Sequence, residues 1–228
     1  MTRPYTTLSC AVSLDGYLDD TSPQRLLLSN DADFDRVDQV RADSDAILVG
    51  ACTLRQDDPR LLVRSEARVR ERLTAGRTSS PVKVTVSERA DFDPGARFFT
   101  RGDVDKLVYC GRDGFSDARA RIGSAATVVD AGRPVAMGWV CADLAERGVE
   151  RLLVEGGGTV LTQFPAQGLA DELHLVVAPF LVGDSRARRF IDDGHFPWRA
   201  DSPARLVETR AIGDVVLLRY ALSERCPG

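Results

Sequence analysis

The chain has 228 residues, 43% of them hydrophobic, with 34 acidic and 30 basic side chains for a net charge of −4. That is enough to bury a sizeable core, and a pI near 5.3 disfavours non-specific nucleic-acid binding. Five scattered cysteines without a C-x-x-C, two histidines and no long apolar run disfavour a disulfide framework, a metal site and a membrane span. The first residues lead straight into a strand-like run without an apolar leader, so the expected location is the cytoplasm.

Tyr5 to Leu14 alternates and is rich in Thr, Val and Leu, predicting a strand that turns at Asp15-Gly16. Ser29 or Asn30 can cap a helix whose first turn carries Asp31, Asp33 and Asp35, complementing its dipole. Short apolar strands follow at 46–50, 81–87, 106–110 and 126–130. Met137 to Arg147 is amphipathic and stops at Gly148. Another strand covers Leu152 to Val154, a helix runs from Thr159 to about Gln167, and a long strand is expected from Glu172 to Val182. Arg205–Ala211 and Val215–Leu222, separated by Gly213-Asp214, form a terminal hairpin. The arginine-rich stretches 64–77 and 186–189 contain acids as well and read as solvated faces. No linker-like or low-complexity segment divides the chain. The expected architecture is therefore α/β: a single domain over 1–228, with a mainly parallel central sheet flanked by helices and a C-terminal antiparallel hairpin.

The most informative stretch is Glu155-Gly156-Gly157-Gly158-Thr159. Three glycines between a buried strand and a helix let backbone approach a ligand and offer free N–H groups to an anion such as pyrophosphate. Glu155 stands at the strand's carboxyl end, where open α/β sheets bind ligands. Thr53, after the strand 46–50, can offer a hydroxyl and an N–H to a phosphate. Asp57 and Asp58 can accept from ribose hydroxyls or form a turn before Pro59. Arg60 and Arg64 are planar cations suited to phosphate. The run is neither G-x-G-x-x-G nor a P-loop, and no Ser–His–Asp set is evident. Ser87 and Arg89 stand at the carboxyl end of the strand Val82 to Val86. If the strand alternation persists, they share a face that suits an adenosine 2′-phosphate, with Glu88 turned away.

Four motifs occur in order: Ser13-Leu14-Asp15-Gly16; Ala51-Cys52-Thr53-Leu54-x-x-Asp57-Asp58-Pro59-x-Leu61; Leu153-Val154-Glu155-Gly156-Gly157-Gly158-Thr159; and Asp171-Glu172-Leu173 followed by Ala178-Pro179-x-Leu181-Val182-Gly183. Together they resemble the reductase domain of bifunctional riboflavin-biosynthesis proteins and its stand-alone relatives, from about Arg3 to Tyr220. The resemblance implies a dihydrofolate-reductase-like fold, a homodimer, and NADPH-dependent reduction of the ribosyl group of a phosphorylated aminopyrimidine to ribityl, as in a 5-amino-6-(5-phosphoribosylamino)uracil reductase. It implies that Ala11, Thr53, Asp57, Ser87 and the loop Gly157, Gly158, Thr159, Val160, Leu161, Thr162 and Gln163 hold NADPH, to which the residues themselves add Arg89. It implies that Arg41, Leu61, Arg64 and Glu155 hold substrate, with Glu155 the candidate catalytic group. On its residues alone, Arg41 is a helix-surface arginine.

Two departures stand out. The family's Gly-x-Ser-x-Trp-Ile-Thr stretch aligns with Ser22 to Asn30, where Arg25 takes the serine position and Leu27 the tryptophan position. Either Arg25 meets the substrate phosphate or the substrate differs; a pterin such as dihydrofolate, another pyrimidine or a secondary-metabolism substrate are the alternatives, alongside a non-catalytic nucleotide sensor. The zinc deaminase signature, His-x-Glu with Pro-Cys-x-x-Cys, is absent, so no deaminase domain and no metal are expected.

Overall fold

The computed structural model describes residues 2–22, 24 and 26–227; Arg25, a candidate substrate ligand, lies outside them. The elements run β1 (Tyr5–Val12), α1 (Asp31–Asp43), β2 (Ala46–Gly50), α2 (Ala51–Asp57), α3 (Glu66–Thr74), β3 (Val82–Ser87), α4 (Arg97–Thr100), β4 (Lys106–Cys110), α5 (Arg112–Ile122), β5 (Thr127–Asp130), α6 (Met137–Glu146), β6 (Arg151–Gly156), α7 (Gly158–Ala166), β7 (Glu172–Val177), β8 (Arg205–Ile212) and β9 (Val215–Ala221). Among the described residues no helix is long and apolar enough to cross a membrane. The chain packs as two compact units, Asp38–Leu153 with the residues before Tyr5, and Tyr5–Val37 with Val154–Gly228.

In the first unit, β5, β4, β3 and β2 lie side by side in that order, each pairing parallel. β2, Ala-Ile-Leu-Val-Gly, is buried along its whole length, as an unbroken apolar run in a parallel sheet must be. Ile47, Val49, Val108 and Leu153 share a core with Leu54, Leu61, Phe92, Phe98 and Phe99. Lys83 of β3 is fully buried there, and its ammonium donates to the carbonyls of Phe98, at 3.0 Å, and Arg101. The cation thus satisfies carbonyls at the end of α4.

The stretch 64–77 is not a uniformly solvated face. Ser65 caps α3, and Arg72 is buried, donating to the carbonyls of Ala42, Ser44 and Thr78 at 2.6, 2.8 and 2.9 Å. A guanidinium carries five donors, and here it ties off the end of α1. Burial and the neighbouring Arg77 lower its pKa to about 10.

In the second unit, β1 pairs parallel with β7 from Thr7↔Glu172 to Val12↔Val177, while β9 pairs antiparallel with β7 and β8. The hairpin turns through Gly213 at φ 62°, the left-handed conformation that a two-residue turn demands. Asn30 is the helix cap: its Oδ1 accepts from the Asp33 N–H at 3.0 Å. Its amide nitrogen donates to Ile212 O and Asp214 Oδ1, each at 2.7 Å, fastening the helix start to the hairpin. Val176, Ala178, Val215 and Leu217 form the local core with Leu28. β7 is shorter than expected, ending at Val177 rather than Val182, because Pro179 cannot donate to a ladder.

Candidate active site

In the second unit, the glycine run joins β6 to α7. Gly156 and Gly157 have φ of 137° and 37°, where a side chain is strained. Gly157 is the N-cap and brings no side chain to the helix start. The first intrahelical bond runs from Leu161 N–H to Gly157 O at 3.0 Å, so the N–H groups of Gly158, Thr159 and Val160 precede the intrahelical ladder. Those donors, on a turn without side chains, fit a pyrophosphate. Thr159 is exposed and Gln163 half-buried, but the side chains of Val160 and Leu161 are in the core; only their backbone can meet a ligand. The Thr162 hydroxyl donates to Gly158 O at 2.7 Å and accepts from the Asp192 N–H at 2.9 Å. Gly158 itself is a packing glycine, since a Cβ there would sit 2.8 Å from the Arg189 carbonyl oxygen. Glu155 is half-buried beyond the buried run Leu152–Val154. Ala11 is half-buried on β1, opposite Val176.

In the first unit, the stretch after β2 is helical rather than a loop: Thr53 is the third residue of α2 and Asp57 its last, both half-buried. Asp58 follows in the left-handed conformation and accepts from the Arg97 N–H and Nε at 2.6 and 2.9 Å. Of the two acids before Pro59, Asp58 therefore serves the structure. Leu61 combines φ 49° with a side chain only 2% exposed; only its backbone can face a ligand, and a leucine at positive φ is a strained position of the kind found at binding sites. Arg64 is exposed, with its N–H on Asp38 Oδ1 at 2.6 Å. Arg41, in the last turn of α1, donates to Leu62 O at 3.2 Å, so it braces the segment between Leu61 and Arg64 rather than only facing solvent.

The strand alternation inferred for Ser87, Glu88 and Arg89 does not persist. β3 ends at Ser87 and the chain bends through the next two residues. Ser87 Oγ accepts from the Ala90 N–H at 3.0 Å, and Ala90 sits at φ 48°. The bend presses its backbone onto two glycines: a Cβ would sit 2.8 Å from Glu88 O at Gly111 and 2.8 Å from Arg89 O at Gly114. Glu88 Oε1 accepts from the Val135 N–H at 2.9 Å, so its carboxylate is engaged, while Arg89 is exposed.

Asp38, which orders 64–65, and Asp15, whose carboxylate accepts from the N–H groups of Val182 and Gly183 at 3.1 and 2.8 Å, carry roles that residue type alone did not reveal. Asp15 also accepts from Ser13 Oγ at 2.5 Å, and this hydrogen bond leads the causes that lower its pKa to about 2. Its place in Ser13-Leu14-Asp15-Gly16 was the available signal. His174 stands on β7 with Nδ1 3.3 Å from Arg36 Nη1 and Nε2 3.1 Å from Glu172, an ionic setting rather than a nucleophile's.

Parallel strands, a strand-to-helix glycine turn and an antiparallel terminal hairpin define an α/β fold of the dihydrofolate-reductase-like class. A dihydrofolate reductase from Enterococcus faecalis superposes with a TM-score of 0.51 at 10% identity, covering 95% of each chain. A pyrimidine reductase-like protein from Corynebacterium diphtheriae gives 0.82 at 21% identity, covering 96% of this chain and 91% of that one. Within this class the chain belongs to the family of RibD C-terminal domains, whose model matches residues 4–218. Relatives that carry the name 2,5-diamino-6-ribosylamino-4(3H)-pyrimidinone 5′-phosphate reductase include the following two. The Archaeoglobus fulgidus protein is 35% identical over 182 residues, 79% of this chain and 83% of its own. The Methanothermobacter thermautotrophicus protein is 31% identical over 222 residues, 96% of this chain and 99% of its own.

Proposed function

We propose that this chain is an NADPH-dependent reductase that converts the ribosyl group of 2,5-diamino-6-ribosylamino-4(3H)-pyrimidinone 5′-phosphate to ribityl, acting as one reductase domain and as a homodimer. The observation that carries the reading is the 31% identity to a reductase of that name along 96% of the chain. It favours the base before deamination over the uracil form, because both archaeal relatives are named for the diamino compound.

In this reading, within the second unit the N–H groups of Gly158, Thr159 and Val160 receive the cofactor's pyrophosphate, and Ala11, Gln163 and the backbone of Leu161 are further cofactor contacts; within the first unit Thr53 and Asp57 are cofactor contacts. Arg89 and Ser87 receive the adenosine 2′-phosphate. Arg64 takes the substrate phosphate, with Arg25 as second cation; Arg41 and the Leu61 backbone shape that end. When bound, NADPH supplies a hydride. The ring-opened imine of the substrate is already electrophilic at C1, so the chain needs no nucleophile; it binds, orients and excludes water. Glu155 holds the substrate, and the proton that the imine nitrogen takes up comes from water, directly or relayed by Glu155.

The test is a steady-state assay of the purified protein with NADPH and, separately, the diaminopyrimidinone phosphate, its deaminated uracil counterpart and dihydrofolate. Turnover highest on the first supports the reading. Preference for the uracil corrects the order of steps, and preference for dihydrofolate replaces the substrate.

A further inference from the structure

Three of the four family motifs meet in one hydrogen-bonded substructure of the second unit. The segment 182–192, which no motif covers beyond Gly183, runs between the Ser13–Gly16 turn and the first turn of α7. Its start is held by Asp15, on the N–H groups of Val182 and Gly183. Its middle is laced to the same turn: Leu18 N–H donates to Arg188 O at 2.8 Å and Phe190 N–H to Gly16 O at 3.2 Å. The Arg189 guanidinium lies over the Tyr17 ring, 5.0 Å from its centroid. Its end is held by Thr162, which accepts from Asp192 N–H while donating to Gly158 O. The Arg189 carbonyl fills the space where a Gly158 side chain would be.

A threonine hydroxyl has one proton to give. That of Thr162 goes to Gly158, the first residue of α7, so its donor is unavailable to a phosphate. The resemblance counts Thr162 among the cofactor ligands; the contacts give it different work. We infer that Thr162 is a positioning residue, which clamps the strap 182–192 onto Gly158 and so sets the direction in which the first N–H groups of α7 point. This rests on the reading that those groups receive NADPH, and it assigns the strap a part in cofactor affinity although it supplies no ligand of its own.

The experiment pairs Thr162→Val, which keeps the shape and removes the hydroxyl, with Thr162→Ser, which keeps the hydroxyl. The measurements are NADPH affinity by fluorescence titration and amide exchange of 188–192 in the cofactor-free protein, with circular dichroism to confirm folding. Expected are roughly tenfold weaker NADPH binding in the valine variant, the loss associated with one hydrogen bond whose partners are left unsatisfied, together with faster exchange at Asp192. The serine variant should match the parent in both. Gly158→Ala, which pushes on the Arg189 carbonyl and leaves Thr162 intact, should speed exchange in the strap and weaken binding likewise. Equal NADPH affinity in parent and valine variant overturns the inference. So does weaker binding with unchanged exchange at Asp192, which would make Thr162 a direct ligand. Failure of the underlying cofactor reading looks different: the parent itself then shows no NADPH titration.

Discussion

The buried carboxylate of Asp38 accepts the backbone N–H of Arg64 at 2.6 Å and that of Ser65 at 3.1 Å, and pairs with Arg68 Nη1 at 3.0 Å. One side chain on α1 therefore decides where the guanidinium of Arg64 can reach. Asp38→Ala should destabilise the protein by about 3 kcal/mol, since it strands buried donors and a half-buried cation, lowering the thermal midpoint. It should also raise KM for a phosphorylated substrate. Arg64→Ala should raise that KM roughly tenfold to a hundredfold, the cost of a charge-assisted phosphate contact. An equal effect of Arg64→Ala on a dephosphorylated analogue would move the phosphate contact to Arg25 or Arg41.

Glu155→Gln should preserve the fold and NADPH affinity and lower kcat/KM by roughly tenfold or more, the loss expected when a charged hydrogen-bonding partner of the substrate is neutralised. The half-buried carboxylate at the end of β6 has the same shape as the amide, so an unchanged kcat/KM would remove Glu155 from the site.

Gly157→Val should abolish NADPH binding with little change in circular dichroism. The backbone at φ 37° and ψ 148° is hostile to a β-branched residue, and the turn must rearrange. Retained affinity in a fluorescence titration would show that this turn does not hold the cofactor.

Arg89→Ala should narrow the preference for NADPH over NADH. Arg89 is exposed beyond the bend at Ser87, while the neighbouring Glu88 is held on the Val135 N–H, so the cation is available to an extra phosphate. The ratio of kcat/KM for the two cofactors in parent and variant checks this; an unchanged ratio removes Arg89 from the selection.

Lys83 gives the stability a specific pH dependence. Burial, with Lys106 nearby, lowers its pKa to about 8 from the ordinary lysine value of 10.5. The unfolded chain then binds the extra proton between those values, so this group makes stability rise with pH across that window and contributes a constant cost below it. Lys83→Met should remove that rise: relative to the variant, the parent gains up to about 3 kcal/mol between pH 8 and 10.5. Denaturant titrations at several pH values in parallel would measure it, and parallel curves would show that Lys83 does not titrate there.

Much of the architecture was written in local signals. The bounds of β2 and β4 match the expected runs; β2, buried on both faces, has no polar positions to blur its ends, and β4 is buried from Leu107 to Cys110. The terminal hairpin follows from alternation around Gly213-Asp214, and the strand-to-helix turn from three consecutive glycines. The family motifs carried the class of reaction. What the sequence did not determine depends on partners far apart in the chain. α2 has no side-chain cap at Gly50 to announce it. Arg72 looked solvated until the end of α1 supplied carbonyls 30 and 28 residues back in sequence. The turn at Ser87 breaks the strand alternation because Gly111 and Gly114 leave room for its backbone. Thr162 became a clamp only when Asp192 arrived beside it. Periodicity and turn chemistry act over a few residues and can be read in order along the chain. A hydrogen bond between distant residues exists only once folding has brought its two halves together, and in this protein such bonds engage the Glu88 carboxylate on the Val135 N–H and the Thr162 hydroxyl on the Asp192 N–H.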